Sequence, residues 1–229
     1  MRLSGLFQNE QYLGMALLRL SLFLFLIAPL QAAETTMRFF AHPGGQVTIQ
    51  GGHKPYDWDV RGRVIEGFLE CGKDFPIKTG QALKAGKVQA RLEGSIPVRS
   101  LRSSLGSLMD EFMYAEMNET NAPRILFRFS NWLLTTLPES KNAPYKFESR
   151  AELVLAGITN RLSIPLSVTP LPGNRLKVNG ETFIKLADLG LEAAKPVSFF
   201  LKNGDEIKLT FEWFVGRKPP SFSGSQTNQ

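Results

Sequence analysis

The sequence has few of the residues from which catalytic and metal sites are built. Its 229 residues include one cysteine and two histidines. A lone Cys71 excludes an intrachain disulfide, and no His-Glu-x-x-His or Cys-x-x-Cys pattern indicates a zinc site. The Gly-x-Ser-x-Gly pattern of serine hydrolases and the glycine-rich loops that bind phosphate are also missing. We therefore predict a protein that is not an enzyme and holds no cofactor or metal.

One polar cluster leaves an enzymatic alternative open. His53 lies close in sequence to Asp57 and Asp59, and a histidine beside carboxylates is a common acid–base arrangement. The favoured interpretation is a surface histidine next to a turn.

Long runs of one charge are absent as well. Lys and Arg total 27 against 21 Asp and Glu, which gives a formal net charge of +6, but the surplus is spread along the chain. A dispersed positive charge does not indicate a nucleic-acid partner.

The apolar run over residues 20–30, behind Arg19, is too short to span a membrane comfortably, since a helix needs about 20 residues for that. It is typical of the hydrophobic part of a secretory signal, with Pro29 near its end and Ala32 and Ala33 after it. We predict a signal peptide over residues 1–33, with an uncleaved anchor as the alternative, and a periplasmic or otherwise secreted domain.

The rest of the chain is dominated by apolar and polar residues in alternation, which predicts strands with one buried face. The segments with this pattern are residues 88–98, 125–129, 147–155, 162–168, 176–182 and 207–215. Turn residues separate them at 156–157, 172–174 and 203–205. Earlier strands are predicted over residues 46–50, 57–60 and 63–69, with the Gly-Gly pairs at 44–45 and 51–52 between them. About eight strands suit either a barrel or a sandwich.

One segment does not follow this alternation of apolar and polar residues. Leu108, Phe112 and Met113 have helical spacing within residues 105–117, and Ser107 is a candidate cap. The sequence predicts one amphipathic helix here, inside a single domain over residues 34–216. Residues 217–229 are rich in Pro, Ser and Gly and are predicted to form a disordered tail.

Short motifs occur in a fixed order between about residues 45 and 215. They are Ile49-Gln50-Gly51-Gly52, Asp57-Trp58-Asp59-Val60, Ile96-Pro97-Val98, Asp110-Glu111-Phe112, residues 151–160, Asp188-Leu189-Gly190-Leu191 and Gly204-Asp205-Glu206-Ile207. In this order they resemble the YceI-like family of exported polyisoprenoid-binding proteins. Two positions depart from the family pattern: Tyr56 replaces a usual His, and Leu189 a usual Phe.

The resemblance implies an all-β fold, an antiparallel up-and-down eight-stranded lipocalin-like barrel with one short amphipathic helix. It also implies an apolar tunnel for a polyisoprenoid, quinone-like or other lipid ligand, held as by a carrier, store or scavenger in the cell envelope. The predicted lining is apolar throughout and consists of Met109, Met113, Phe127, Phe129, Leu153, Ile164, Val178, Phe211 and Trp213. A partner-binding envelope protein with a filled barrel is the alternative, and the sequence leaves open whether the chain forms a homodimer.

Overall fold

The computed structural model describes residues 36–53, 56–185, 188 and 206–217, all within the compact unit that starts at Thr35. The predicted signal segment, the turn at 203–205 and the tail beyond Arg217 lie outside these residues. In the described part of the chain, no helix is long and apolar enough to cross a membrane. The strands are β1 (Met37–His53), β2 (Tyr56–Gly62), β3 (Glu66–Cys71), β4 (Gly86–Lys87), β5 (Ala90–Pro97), β6 (Leu101–Ser103), β7 (Arg124–Thr136), β8 (Tyr145–Leu155), β9 (Ile158–Leu171), β10 (Arg175–Lys185) and β11 (Glu206–Gly216).

Eight of these strands form a closed antiparallel barrel. Strands β1, β3, β5, β7, β8, β9, β10 and β11 are neighbours in that order, and β11 pairs with β1 to close the ring. Strands β2 and β6 extend the sheet beside the second half of β1, and β4 pairs with β7. The predicted up-and-down barrel is confirmed, and closure removes the free edges that a sandwich would keep.

The alternating pattern correctly predicted which face of each strand is buried. On β7, Ile125 and Phe129 are buried and Phe127 is half-buried, whereas Leu126 between them is 46% exposed. Every second side chain of a strand points to the same face, so apolar residues at this spacing fill the barrel interior.

The Gly-Gly pairs do not separate strands, contrary to the sequence prediction. Strand β1 runs without interruption from Met37 to His53. A bulge between His42 and Gln46, with Gly44 at a φ of 101°, absorbs the first pair. At the second pair, the Trp58 ring packs so closely on its ladder partner Gly51 that a Cβ there would lie 2.4 Å from Cζ2 of the ring.

The predicted helix is present as α1 (Ser107–Glu116), but its cap and its buried face differ from the prediction. Gly106 is the N-cap and makes no side-chain hydrogen bond, so Ser107 is not the cap. Leu108 is 70% exposed, while Asp110 and Tyr114 are buried. This rotation of the helix is determined by hydrogen bonds to β6, described below, and not by its apolar residues.

One half of the barrel is solidly packed. Phe75, Trp132 and Phe147 form an aromatic cluster with ring centroids 5.5–5.6 Å apart. The Tyr145 hydroxyl donates a hydrogen bond of 2.8 Å to the carbonyl of Gln81, in the segment that precedes β4. The residues of this cluster are almost fully buried, and none of them lines the cavity described below.

Candidate functional site

The other half of the barrel encloses a cavity of about 90 Å³. Among the residues that the structure describes, the side chains that line it are all apolar: Val47, Ile49, Ile65, Ile96, Leu101, Met117, Ile125, Phe127, Phe129, Ala151, Leu153, Leu155, Ile164, Ile184, Ile207, Leu209, Phe211 and Trp213. Along β11 the lining ends at Trp213, and along β7 it ends at Phe129, where the packed half begins.

Six of the nine predicted lining residues border this cavity. They are Phe127, Phe129, Leu153, Ile164, Phe211 and Trp213. Their role in binding a ligand stays a prediction.

The other three predicted residues do not line the cavity. Val178 is 0% exposed and belongs to the packed core, where it pairs with Val168 and Trp213 on the neighbouring strands. Met109 and Met113 are half-buried on α1. Met117, one helical turn beyond Met113, lines the cavity instead.

The prediction omitted several lining residues whose signal was present. Ile96, Ile125 and Leu155 occupy inward positions of the same alternating segments as the predicted residues. Ile65 and Leu101 gave no such signal, because apolar and polar residues do not alternate over residues 63–69 and Leu101 lies in a strand of three residues.

Two aromatic rings lie against the cavity wall opposite glycines. Phe127 pairs with Gly94 across β5 and β7, and Phe211 pairs with Gly180 across β10 and β11. A Cβ would lie 2.4 Å from the Phe127 ring at Gly94 and 2.3 Å from the Phe211 ring at Gly180. These glycines therefore let the rings approach the backbone of the neighbouring strand more closely than any other residue would.

A polar network fixes α1 beside the cavity. The Ser103 N–H donates a 2.6 Å hydrogen bond to Asp110 Oδ1, and the Tyr114 hydroxyl donates one of 2.8 Å to the Leu101 carbonyl. The Arg102 guanidinium donates to the same hydroxyl. Burial raises the pKa of the Tyr114 phenol, although Arg102 opposes this. The network holds two lining residues, Leu101 and Met117, in place.

The candidate acid–base cluster gains no support from its geometry. Asp59 pairs with Arg61 at 2.8 Å, and Asp57 is exposed, while the His53 side chain lies outside what the structure describes. Among the described residues, no group of three His, Cys, Asp or Glu side chains could hold a metal ion.

These observations define a class: a closed eight-stranded barrel with a short helix and an apolar cavity in one half. Solved structures of YceI-like proteins have the same fold. BcnA of Burkholderia cenocepacia is 15% identical with a TM-score of 0.55, over 74% of this chain and 95% of BcnA. A polyisoprenoid binding domain from Saccharophagus degradans is 13% identical with a TM-score of 0.58, over 80% of this chain and 99% of the domain.

The YceI protein of Campylobacter jejuni is 12% identical with a TM-score of 0.50, over 70% of this chain and 85% of its own. No protein-family model matches the sequence, and no curated protein matches it either. At these identities the likeness establishes the fold, so the chain has the YceI-like fold that its motifs predicted.

Proposed function

We propose that this protein binds a polyisoprenoid or a similar amphiphilic lipid in its apolar cavity, as a carrier, store or scavenger in the cell envelope. The observation that carries the proposal is a cavity inside a closed barrel, lined only by apolar side chains in the part of the chain that the structure describes. A structural neighbour is a polyisoprenoid binding domain, and the signal-like residues 1–33 support an exported, periplasmic location. No catalytic step is needed for this role.

Affinity for a lipid chain would come from burial of hydrocarbon. Each buried CH₂ contributes about 0.8 kcal/mol, so a long chain needs few directional contacts. A cavity of about 90 Å³ is smaller than the engineered cavity of about 150 Å³ that admits benzene. The lining side chains must therefore move apart to accept a ligand.

The seam between β9 and β10 allows such widening. Their ladder joins Leu166–Leu171 to Arg175–Gly180 only, in the described part of the chain. Beyond it, β9 continues its pairing with β8, and β10 with β11. The cavity is bordered on both sides of the unpaired part of this β9–β10 boundary, by Ile164 on β9 and by Ile184 on β10. Their strands can separate further without loss of a hydrogen bond between them.

The small volume also favours a second candidate function. If the lining side chains stay in place, the barrel is filled and the protein acts by contact with a partner. Lipid content distinguishes the two functions directly.

The test is to purify the protein without detergent, extract it with organic solvent and analyse the extract by mass spectrometry. We expect a stoichiometric isoprenoid, quinone-like or other lipid species. Phe127→Asp places a charge in the cavity and should abolish the co-purified lipid. Leu126→Asp, on the exposed face of the same strand, is the matched control and should retain it.

A lipid-free extract from well-folded wild-type protein would contradict lipid binding and support the filled barrel. If Phe127→Asp fails to fold, circular dichroism will reveal it. The milder Phe127→Asn then takes its place, with Leu126→Asn as its control.

A further inference from the structure

Arginine side chains converge on the outside of the barrel, beside strands β2 and β6. They line an open recess of about 410 Å³, whose residues are Asp59, Arg61, Arg63, Val64, Ser100, Arg102, Ser103 and Ser104. Among the described residues, none lines both this recess and the barrel cavity. The recess is therefore a second site, separate from the one proposed for lipid.

The arginines of the recess are only partly neutralised. Arg61 and Arg102 are direct partners on the β2–β6 ladder, and like charges in this position destabilise a sheet. Asp59 pairs with Arg61 at 2.8 Å, but the nearest carboxylate of Arg102, that of Asp110, lies 3.9 Å away. Arg63 is exposed and makes no ion pair in the described part of the chain. A bound anion would relieve this repulsion.

Several hydrogen-bond donors of the recess remain available to such an anion. The Ser103 hydroxyl accepts the Leu105 N–H at 3.1 Å, and the Ser104 hydroxyl accepts the Asp59 N–H at 3.1 Å. Each hydroxyl therefore keeps its own proton to donate. Among the described residues, Arg102 donates its hydrogen bonds through Nη1 alone, which leaves Nη2 for a ligand. Hydroxyl and guanidinium donors around one recess suit the oxygens of a phosphate group.

Exposed apolar side chains lie next to these donors. Val64 lines the recess and is 42% exposed, and Leu105, directly after Ser104, is 44% exposed. Leu108, in the first turn of α1, is 70% exposed. Apolar side chains beside basic ones are typical of surfaces that enter the headgroup region of a bilayer. A free phosphate ion would leave these side chains without a partner, whereas a phospholipid bilayer offers both a phosphate and an apolar layer.

We propose that this side of the barrel binds the surface of a bilayer that contains anionic phospholipid. A lipid phosphate occupies the recess, and the two leucines enter the headgroup region. This docking face consists of Arg61, Arg63, Val64, Arg102, Leu105 and Leu108. The inference goes beyond lipid binding in the cavity, because it assigns a second site and a second partner.

The docking face also lies next to the cavity. Leu101 lines the cavity and directly precedes Arg102 on β6. Docking through Arg102 therefore brings the cavity end of the barrel, rather than its packed end, close to the bilayer.

The test measures binding of the full chain to vesicles by cosedimentation. One set of vesicles is phosphatidylcholine alone, and the other is an equimolar mixture of phosphatidylcholine and phosphatidylglycerol. We expect at least about tenfold tighter binding to the anionic vesicles, because each arginine near such a surface contributes about fivefold. The apolar residues 20–30 are present in every variant and contribute equally to each.

Arg63→Glu changes the charge of the docking face by two and should weaken binding to the anionic vesicles by about 25-fold. Arg175→Glu is the matched control. Arg175 is also exposed and makes no ion pair in the part of the chain that is described, but it begins β10 at the packed end of the barrel. This variant has the same net charge and should lose less than about fivefold.

The leucines are tested in the same assay. Leu108→Asp should weaken binding to both kinds of vesicle by about tenfold, because one buried leucine is lost. Leu137→Asp is the matched control, since Leu137 is an exposed leucine that follows β7 beyond the packed half. It should bind as the wild type does. Circular dichroism verifies that all four variants fold.

Equal affinity of the wild type for the two kinds of vesicle would overturn this inference. Equal losses in Arg63→Glu and Arg175→Glu would do so too, because they would indicate net charge alone. Calorimetry with inorganic phosphate provides the remaining arm. Binding of phosphate that depends on Arg63, without binding to vesicles, would identify a site for a free anion and contradict membrane docking. Lipid binding in the cavity is measured separately by solvent extraction, so these results leave it unaffected.

Discussion

At the scale of single residues, Cys71 provides a test of burial that is independent of any ligand. It is 1% exposed on β3, and burial raises the pKa of its thiol to about 12, against a smaller opposing effect of Arg217. In the unfolded chain the thiol ionises near its ordinary pKa of about 8.5. The folded state then keeps a proton that the unfolded state loses, so stability present below pH 8.5 decreases as the pH rises towards 12.

We predict that Cys71→Ala reduces the loss of stability between pH 8 and pH 10. The wild-type free energy of unfolding should fall by about 1–2 kcal/mol more than that of the variant over this interval. Urea denaturation at both pH values measures the difference. Tyrosines and lysines titrate alike in both proteins, so an equal fall in the two would contradict a buried, protonated thiol.

Individual residues also mark the limit of sequence reasoning. The alternation predicts that Leu126 is exposed between inward neighbours, because side-chain direction in a strand follows from position alone. It cannot distinguish Val178, in the packed half, from Phe211, in the cavity wall, since both point inward. The sequence also does not reveal that the Trp213 N–H lacks a hydrogen-bond acceptor in the described part of the protein, because this depends on which residues of other strands lie nearby.

At the scale of secondary-structure elements, the glycine–aromatic pairs of the barrel wall should respond differently to a methyl group. The three atoms nearest to a Cβ at Gly180 all belong to side chains, with the Phe211 ring at 2.3 Å and Leu166 at 3.0 Å. At Gly94 it would also lie 2.6 Å from the Glu66 carbonyl oxygen of β3. A ring can yield towards the cavity, whereas a carbonyl can move only with its strand.

We therefore expect Gly94→Ala to lower the free energy of unfolding by about 1–3 kcal/mol, the usual cost of overpacking, and Gly180→Ala to lower it less. Gly180→Ala should nevertheless reduce the lipid that co-purifies, because Phe211 is pushed into the cavity. Urea denaturation and lipid extraction on both variants measure the two effects. Equal destabilisation, with unchanged lipid content in Gly180→Ala, would contradict this role of the glycine.

Helix α1 shows what the sequence could predict about an element and what it could not. Its existence and position followed from helical spacing of apolar residues, but that spacing suggested Leu108 as part of the buried face. The hydrogen bonds of Asp110 to Ser103 and of Tyr114 to Leu101 turn the helix instead. These partners lie on β6, which is too short to be recognised as a strand, so no sequence pattern indicated them.

At the scale of the whole molecule, the resemblance to the YceI-like family implied the up-and-down barrel, whereas the alternating segments alone made only the approximate number of strands predictable. The division into a packed half and a hollow half was not. It depends on Phe75, in the segment between β3 and β4, which completes the aromatic cluster.

Pro165 did carry a signal for the seam, because proline cannot donate a ladder hydrogen bond and favours unpaired edges.

The seam leads to a prediction about how the barrel admits its ligand. Pro165 directly precedes Leu166, the first residue of β9 that pairs with β10, and Glu181–Lys185 of β10 pair with β11 alone in the described part of the chain. Alternate amides of Glu181–Lys185 therefore have no strand partner on the β9 side. They should exchange hydrogen for deuterium faster than those of Arg175–Gly180 in the same strand.

Lipid should slow exchange in Glu181–Lys185 and in the facing part of β9, because a ligand between Ile164 and Ile184 shields the seam. The segment around Trp132 lies in the packed half and serves as the internal control, with exchange that is slow and unaffected by lipid. Hydrogen-exchange mass spectrometry of the lipid-free and lipid-loaded protein measures both. Uniform exchange along β10, or protection that spreads equally to Trp132, would mean that the barrel does not open at this seam and that the ligand enters elsewhere.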